Sequence, residues 1–404
     1  MLKIKFSDIN GGMRRIILKV AVLGGGVAGL SAAIALKQNG FEVEVYERNS
    51  STTDIGAGIV CWPNASFVLD DLGILDQVAS VSGMPPMMKR MTQRGESLGS
   101  LDIKQLNRLM GYPSFSILRS ELMSLLLRRM AALDISLQYG CMATAIEPIE
   151  KGKTQLCFDN GESLIADLVI GAEGRMNSMT RQYVHGDNRP VYQGFINWIG
   201  VYESDDRRFS DLSVFDYWGL GERFGIVPIT DRKAYWAGGV VSTKTGNRNP
   251  ATYKDDLTAL FEGWPDPITA IIKGTPQSRI NKIYVHDLEP VDVWHRDNVL
   301  LIGDAAHAPL PTSGQGACQA LEDAWHLVQC LKTGQPLQAV LERFTDIRAS
   351  KTTGITLGAR KLASSIFNTD PDYCSERNQN SLRTDYRAVV EGMAKGWATG
   401  LPIG

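Results

Sequence analysis

The stretch that decides the fold is residues 19–47, KVAVLGGGVAGLSAAIALKQNGFEVEVYE. Residues 18–23 form a short apolar run that ends in glycines, as a buried parallel strand does. Residues 27–38 are rich in Ala and Leu, and Gly40 follows them as a helix stop. Residues 41–46 alternate in the manner of a second strand. The order strand, helix, strand predicts a βαβ unit.

The turn of this unit carries a nucleotide-binding pattern. The segment GGGVAG at residues 24–29 fits G-x-G-x-x-G, directly after the strand and at the start of the helix. Glycines there permit a tight turn and close approach of a pyrophosphate, and the helix N-terminus supplies free N–H groups. Glu47 ends the second strand, where an acid that binds a ribose belongs. Because an acid disfavours a 2′-phosphate, we expect bound FAD or NAD rather than NADP.

A second glycine-rich segment lies far downstream. Residues 299–316 read VLLIGDAAHAPLPTSGQG and predict a strand, an acid (Asp304) at its carboxyl end, and a loop that opens a helix over 316–331. The acid can hydrogen-bond polyol hydroxyls, and the helix N-terminus can stabilise anionic charge such as that on a reduced flavin. Two such sites in one chain imply a long cofactor that lies between them.

The middle of the chain has a different texture. Between residues 191 and 283, Trp, Tyr and Phe are frequent and are separated by turn residues, which predicts an antiparallel sheet inserted into an α/β domain. The tail, 370–404, is polar and glycine-punctuated and yields no firm element. The remaining patterns predict helices over 65–72 and 119–133, a glycine-rich loop over 55–63, and a hairpin with strands 154–158 and 163–170.

Composition excludes several classes of protein. The 404 residues carry 42 Lys and Arg against 44 Asp and Glu, and 44% of them are apolar. That apolar fraction supports a large buried core, and the charge balance gives no basic surface for nucleic acid. No apolar run reaches the ~20 residues that span a bilayer.

The cysteines and the first residues point to a compartment. The six cysteines are scattered, which indicates buried thiols in a reducing environment and neither a disulfide framework nor a metal site. Residues 1–15 lack the apolar core and cleavage site of a secretory signal. We therefore expect a cytoplasmic protein without a metal.

Three motifs together resemble the class A FAD-dependent aromatic hydroxylases, which are flavoprotein monooxygenases of the p-hydroxybenzoate hydroxylase fold. They are GGGVAG with Glu47, DLVIGAEG at 167–174, and LLIGDAAHAPLPTSGQGA at 300–317. The resemblance covers about residues 17–360. Within the family, the segments GFINWIGVYE at 194–203 and GERFGIVPI at 221–229 look most similar to the urate hydroxylase branch, which also resembles salicylate hydroxylase.

The resemblance implies an α/β fold in which a Rossmann-like FAD-binding domain of the GR2 type is interleaved with a β-sheet substrate domain and followed by C-terminal helices. It implies transient NADH or NADPH that reduces FAD, O2 that forms a flavin C4a-hydroperoxide, and transfer of one oxygen atom to a small aromatic or heteroaromatic substrate. A monomer or homodimer is expected. The implied division assigns 1–75, 106–185 and 284–345 to the FAD-binding domain, 76–105 and 186–283 to the substrate domain, and 346–404 to a C-terminal helical segment.

The resemblance also implies residue roles. Arg223 and Tyr235 face the substrate and Pro311 lies near the flavin C4a, although Arg223 in a structural ion pair and Tyr235 as a sheet residue are equally open. Gly56 and Gly58 would permit flavin movement. The implied cofactor-binding residues are Gly24, Gly26, Ala28, Gly29, Glu47, Arg48, Gly58, Arg119, Gly174, Asp304, Pro311, Gly314, Gln315, Gly316 and Ala317.

Some polar residues are expected to be structural. His307 falls in the strand-to-loop motif, where the family gives histidine no catalytic role. Glu322 and Asp323 are adjacent acids on the predicted helix over 316–331, and we interpret them as charges on a helix surface rather than a catalytic pair.

One motif departs from the family pattern G-A-D-G-x-x-S-x-x-R. This chain has Glu173 in place of the aspartate, and Ser178 and Arg181 each come one position late. The motif is thought to connect FAD with the reductant, so the choice between NADH and NADPH stays open. Two other functions also stay open: a flavin-dependent epoxidase or reductase/saturase acting on an isoprenoid or polyketide, and a flavin redox sensor without turnover.

Overall fold

The structure is a computed structural model that describes residues 18–51, 58–186, 189–243, 245–246 and 248–404. The strands, in chain order, are β1 (Lys19–Leu23), β2 (Glu42–Glu47), β3 (Gly58–Cys61), β4 (Met87–Thr92), β5 (Ser97–Asp102), β6 (Phe115–Leu118), β7 (Ser136–Tyr139), β8 (Ala143–Ile149), β9 (Lys153–Phe158), β10 (Ser163–Ala166), β11 (Leu168–Gly171), β12 (Val191–Glu203), β13 (Val214–Trp218), β14 (Glu222–Pro228), β15 (Lys233–Val241), β16 (Asn281–Asp287), β17 (His295–Arg296) and β18 (Val299–Leu301). The helices are α1 (Val27–Gln38), α2 (Pro63–Asp71), α3 (Leu75–Ser80), α4 (Ile103–Met110), α5 (Arg119–Ala132), α6 (Met179–His185), α7 (Tyr253–Leu260), α8 (Ile268–Gly274), α9 (Gly316–Leu331), α10 (Leu337–Ile366), α11 (Pro371–Arg383) and α12 (Tyr386–Ala398).

The predicted βαβ unit forms the centre of a six-stranded sheet. Its strand order is β17-β18-β11-β1-β2-β7, and all neighbours pair in parallel except β17 with β18. Val20 and Val22 of β1 share one core with the buried apolar residues of α1, whereas Ala21 and Leu23 belong to a separate cluster. Because the strands are parallel, the carboxyl ends of β1, β2, β11 and β18 meet at one edge of the sheet. That edge collects the two glycine-rich segments and Glu47.

The aromatic middle of the chain forms a second sheet, as predicted. Its seven strands run in the order β16-β12-β15-β14-β13-β4-β5. The pairs are antiparallel, apart from β4 with β13. On one face, Phe224 and Trp236 stack and pack with Phe261, which follows α7. We call the opposite face the inner face; part of it packs against α10.

Two local predictions were wrong. Residues 163–170 are two strands, since β10 pairs with β9 in a three-stranded sheet while β11 joins the six-stranded sheet. Within the predicted loop over 55–63, residues 58–61 form β3, paired with β6, and Pro63 opens α2; residues 55–57 lie outside the described residues. The tail, for which the sequence pattern yielded no firm element, contains α11 and α12, in agreement with the C-terminal helices that the resemblance implies. Strand pairing and docking, which are non-local, decided these segments.

The expectation that Glu322 and Asp323 lie on a helix surface was also wrong, because both are fully buried. Arg348 on α10 is equally buried and donates to both carboxylates at 2.7 Å. Lys351 pairs with Glu322 at 2.8 Å, and His307 Nε2 lies 2.7 Å from Asp323. Buried charges persist only when paired and hydrogen-bonded. We call these five residues the buried ionic network; His307 is structural in it, as expected.

The other sequence-level observations concern thiols and membrane spans. All six cysteines are free, and all but the half-exposed Cys157 are buried. In the described part of the chain, no helix combines the length and apolar character that crossing a bilayer requires.

Histidine 326 makes folding sensitive to acid. It is 4% exposed on α9, and its Nε2 has no hydrogen-bond partner among the described residues. Burial, aided by Arg348, lowers its pKa from 6.5 to about 3. The unfolded chain therefore binds this proton more readily, so the contribution to stability is complete above pH 6.5 and is lost as the pH falls toward 3.

We expect His326→Gln to remove this dependence. Between pH 6.5 and about pH 5 the native histidine should account for about 2 kcal/mol of lost unfolding free energy. Urea unfolding of the parent and the variant near pH 7 and near pH 5 measures the difference, with His286→Gln on β16 as the matched control. Equal pH slopes for parent and His326→Gln would contradict the assignment.

Candidate active site

The first glycine-rich turn is fixed by close backbone contacts. Gly24 has φ +113°, and a Cβ on it would lie 2.3 Å from the carbonyl oxygen of Ala172. A Cβ on Gly29 would lie 1.9 Å from the oxygen of Gly24. Only glycine fits both positions, because any side chain would separate α1 from the sheet. Gly26 differs, since a Cβ there would meet no protein atom within 4 Å.

That open space belongs to a cavity of about 590 Å³ at the carboxyl edge of the six-stranded sheet. Ala28 and Gly29 lie behind it, buried in α1. The predicted cofactor-binding residues that line the cavity are Gly24, Gly26, Glu47, Arg48, Arg119 and Gly174.

Glu47 is oriented before any ligand binds. Its Oε2 accepts from the Gly25 N–H at 2.7 Å, and its Oε1 accepts from the backbone and side-chain nitrogens of Asn49 at 2.8 and 2.6 Å. A carboxylate offers about four acceptor positions. The remaining acceptor capacity faces the cavity wall, where a ribose hydroxyl can donate.

Arg48 closes one side of this cavity. It was expected to bind the cofactor, and it does lie in the lining. Its Nη1 also donates to the carbonyl oxygens of Met176 and Asn177 at 3.4 and 3.2 Å. Arg48 thus holds the loop that contains the extra residue of the departing motif.

The structure explains that departure. Glu173 accepts from the backbone N–H groups of Met179 and Thr180 at 3.2 and 2.9 Å, and from the Ser178 hydroxyl at 2.9 Å. The longer glutamate therefore caps the N-terminus of α6, where a carboxylate is stabilised by free N–H groups. Arg181 is buried and donates to the oxygens of Ala305 and Ala306, so the shifted motif supports the neighbouring loop.

The second glycine-rich loop, residues 303–316, lies beside this motif. Asp304 forms an ion pair with Arg175 at 2.8 Å, with both side chains about one-third exposed. Gly314 has φ +62°, and its carbonyl accepts from Trp62 Nε1 at 3.1 Å. Pro311 and Gly314 are exposed, whereas the Gln315 side chain is buried and accepts from Asn64. Gly316 and Ala317 then open α9, whose first N–H groups have no partner within the helix.

The inner face of the seven-stranded sheet has an unfilled polar patch. Strand alternation places Arg223, Gly225, Tyr235 and Ala237 on this face. All four are partly exposed, while their neighbours Phe224, Ile226 and Trp236 are buried on the other face. Gly225 and Ala237, which lie between Arg223 and Tyr235 on this face, are small.

Arg223 and Tyr235 are the two polar residues of this patch. Arg223 Nε donates to the buried Asp216 at 2.6 Å, and no hydrogen bond from its Nη atoms joins it to the described residues. Burial raises the pKa of Tyr235 to about 12 against the opposing charge of Arg223. The phenol therefore stays protonated near neutral pH and can donate. The ion pair foreseen as the structural alternative for Arg223 is present, and it leaves the outer guanidinium edge available.

Strand β3 connects the patch to the second glycine-rich loop. A Cβ on Gly58 would lie 1.8 Å from the Tyr235 ring, so the glycine and the ring are in contact. At the other end of β3, Cys318 Sγ lies 3.4 Å from the oxygen of Val60. Gly56 lies outside the described residues.

Asn197 is a candidate that motif reasoning missed. It lies on the inner face of β12, opposite Gly239, which in turn pairs with Arg223 on β14. A Cβ on Gly239 would come within 2.5 Å of Asn197 Oδ1. Its signal in the sequence is a lone amide in the apolar strand FINWIGV.

These residues fit a dinucleotide flavin. The cavity offers a carboxylate for a ribose, an uncluttered glycine turn at a helix N-terminus for a pyrophosphate, and a neighbouring polar loop. Asp304, Pro311 and residues 314–317 do not line the cavity, but Leu310 of the same loop packs with Phe195 and Trp218 at the border of the inner face. An extended cofactor would join the two regions.

Comparison with known proteins gives consistent matches. A sequence family described as "FAD binding domain" matches residues 18–355. The FAD-dependent urate hydroxylase of Klebsiella pneumoniae is 30% identical over 393 residues, 96% of this chain and 100% of the relative. The Aurachin C monooxygenase/isomerase of Stigmatella aurantiaca is 30% identical over 345 residues, 85% of this chain and 88% of the relative. The structure of K. pneumoniae HpxO complexed with FAD and uric acid matches with a TM-score of 0.88 at 28% identity, covering 95% of this chain and 97% of that one.

Gly26 tests the cavity assignment. We expect Gly26→Ala to leave the stability of the cofactor-free protein nearly unchanged, because its Cβ meets no protein atom. The same Cβ would intrude on a pyrophosphate and weaken FAD binding by roughly tenfold or more, about 1.4 kcal/mol. Quenching of flavin fluorescence measures the affinity and urea unfolding measures the stability.

Gly392→Ala on α12 is the matched control, since its Cβ also meets nothing within 4 Å. Unchanged FAD affinity in Gly26→Ala would place the pyrophosphate elsewhere.

Proposed function

The chain belongs to the FAD binding domain family and is an FAD-dependent monooxygenase, and we propose that its substrate is a small, flat heteroaromatic ring rich in carbonyl groups. Membership confirms the resemblance inferred from the motifs. The observation that carries the substrate proposal is the Arg223–Asp216 pair beside Tyr235 on the unfilled inner-face patch.

The cofactor supplies the redox chemistry. Bound FAD, reduced by NADH or NADPH, supplies the electrons that activate O2 and lead to one oxygen atom in the product. We assign its binding to the lining of the nucleotide cavity and to the second glycine-rich loop. The residues so assigned are Gly24, Gly26, Ala28, Gly29, Glu47, Arg48, Gly58, Arg119, Gly174, Asp304, Pro311, Gly314, Gln315, Gly316 and Ala317.

Arg223 recognises the ring. Asp216 is 7% exposed and fixes the guanidinium through Nε, while neither Nη group makes a hydrogen bond within the described part of the chain. A fixed guanidinium binds two adjacent oxygens or an anionic ring edge, and its orientation costs little entropy because the ion pair already sets it. This favours an acidic, carbonyl-bearing ring.

Tyr235 orients the ring. Because its phenol remains protonated, it donates a hydrogen bond and does not act as a base at neutral pH. The Asn197 amide, on β12, can donate and accept. Three polar groups on different strands fix a planar molecule against rotation, which brings one carbon toward the Pro311 side of the patch.

Apolar residues exclude water from one border of the patch. The rings of Phe195 and Phe367 stack at 4.1 Å, and Trp218 and Leu310 pack with them. A drier site strengthens the hydrogen bonds from Arg223 and Tyr235. The similarity to a urate hydroxylase over nearly the whole chain supports this substrate class.

The choice of reductant, the cellular location and the oligomeric state are further parts of this proposal. The Glu173 carboxylate accepts hydrogen bonds from the N-terminus of α6. We therefore propose that residues other than Glu173 discriminate between NADH and NADPH. Six unpaired thiols support a cytoplasmic location. We propose a monomer or homodimer.

The test is a screen of purified holoenzyme. Urate-like purines, hydroxylated pyridines and aromatic acids are added with NADH or NADPH, and reductant oxidation, O2 consumption and product mass are followed. We expect stimulation by a carbonyl-rich heteroaromatic and a product heavier by one oxygen atom. A reduced product without oxygen would indicate a reductase, and bound FAD without turnover would indicate a sensor.

Arg223→Met tests substrate recognition. It keeps the apolar stem but removes the charge, so KM for the ring substrate should rise at least tenfold, about 1.4 kcal/mol or more, while FAD affinity stays within twofold. Arg232→Met, an exposed residue in the turn before β15, is the control. A KM unchanged by Arg223→Met would reject the recognition role.

Gly58→Ala tests the contact between β3 and Tyr235. The added Cβ would clash with the ring, so either β3 or Tyr235 must shift. We expect slower substrate-stimulated flavin reduction in stopped-flow absorbance, with Gly354→Ala on α10 as the control because its Cβ would meet no neighbour within 4 Å. Unchanged reduction kinetics would exclude a role for Gly58 mobility.

A further inference from the structure

The end of the last helix is anchored in the buried ionic network. Lys351 Nζ donates to the carbonyl oxygens of Trp397 and Thr399 at 2.7 and 2.9 Å and pairs with Glu322 at 2.8 Å. The final carbonyls of a helix have no partner within it and are stabilised by a cation. Lys351 is 7% exposed, and burial lowers its pKa. One ammonium therefore connects the C-terminus of α12 to a buried carboxylate.

The same network holds both ends of the second glycine-rich loop. Asp323 Oδ2 accepts from the N–H of Gly303 at 2.7 Å, at the start of the loop. Glu322 Oε1 accepts from Asn64 at 2.7 Å, and Asn64 also donates to the Gln315 side chain at 2.9 Å, at the end of the loop. The geometry of this loop is thus coupled to the carboxylates that Lys351 and Arg348 neutralise.

A second, independent contact reaches the loop from α12. The Trp397 ring packs on Trp62 with centroids 5.2 Å apart. Trp62 Nε1 in turn donates to the carbonyl of Gly314, and a Cβ on Gly314 would lie 3.1 Å from that nitrogen. Trp397 therefore limits where Trp62, and with it Gly314, can lie.

We propose that Lys351 and Trp397 are positioning residues for the second glycine-rich loop, so that the docked helix α12 is a working part of the flavin site. The inference rests on the proposed function, which places the flavin beside this loop. Lys351 sets the charge behind the loop, and Trp397 sets the position of Gly314.

The positive charge of Lys351 allows its electrostatic effect on the loop to be separated from its anchoring of α12. Removal of the Lys351 ammonium takes one positive charge from the network, while Arg348, Asn64 and Gln319 still donate to Glu322. The network then carries one extra negative charge, which disfavours reduced, anionic flavin and lowers its reduction potential. Neutralising Glu322 as well restores the charge but not the anchor of α12.

The experiment compares Lys351→Met, Lys351→Met/Glu322→Gln, and Trp397→Leu with the parent holoenzyme. We expect a lower flavin potential in Lys351→Met by dye equilibration, and a return toward the parent value in the double variant. Trp397→Leu should keep the parent potential. Lys351→Met and Trp397→Leu should each weaken FAD binding by roughly tenfold. Such a factor corresponds to the loss of about one buried charged hydrogen bond in Lys351→Met, or of one ring contact in Trp397→Leu. With the proposed substrate present, both variants should also release more hydrogen peroxide per NAD(P)H oxidised than the parent enzyme does.

Lys361→Met, an exposed lysine on the same helix α10, is the matched control and should behave as the parent. Unfolding of each cofactor-free variant shows whether the fold persists. The proposal is overturned if Lys351→Met and Trp397→Leu bind FAD as tightly as the parent. It is also overturned if weak binding comes with an unchanged potential in Lys351→Met, which would reflect general packing. Affinity and potential are measured without substrate, so failure to find a hydroxylation product would count against the proposed function and not against this inference.

Discussion

Parallel pairing of β1, β2, β11 and β18 is the constraint on which the rest of the molecule depends. It directs four carboxyl ends to one edge of the sheet, so residues more than a hundred positions apart in sequence, such as Glu47 and Gly174, come to line one cavity. The close contacts of Gly24 and Gly29 keep α1 against that edge, with its N-terminus open to the cavity. The polar groups assigned to the cofactor come together because the parallel strands end at this edge.

A flavin site at this edge also requires that the irregular second glycine-rich loop keep a fixed conformation. Residues 303–316 contain little regular structure; the N–H of Gly303 at the start of the loop donates to the buried Asp323, and the Gln315 side chain at its end accepts from the buried Asn64. The buried ionic network that includes Asp323 is costly unless each donor and acceptor is satisfied. Arg348 meets this condition with bonds to Glu322, Asp323 and Gln319. The network also connects this loop to the C-terminal helices through Arg348 and Lys351 of α10 and the carbonyl groups at the end of α12.

The seven-stranded sheet shows how one element serves both core and site. One face is packed with aromatic rings against α7 and α8. On the other face, small residues and polar side chains stay partly exposed. Alternation along β14 and β15 allows Phe224 to be core while Arg223 faces the patch. Mixed aromatic and polar strands in the sequence are therefore a signal of a site as well as of a core.

The sequence by itself determined the βαβ unit, the α/β fold, the flavin class and the residues at the sheet edge, because these depend on local periodicity and on glycines at fixed spacing. Only the tertiary structure decided that Glu322 and Asp323 are buried, that Glu173 caps α6, that Asn197 shares a face with Arg223, and that α12 reaches the second loop. Each of those outcomes depends on which distant element packs against a residue. Local pattern carries no information about that partner, since an acid on a helix looks the same in sequence whether it meets water or Arg348.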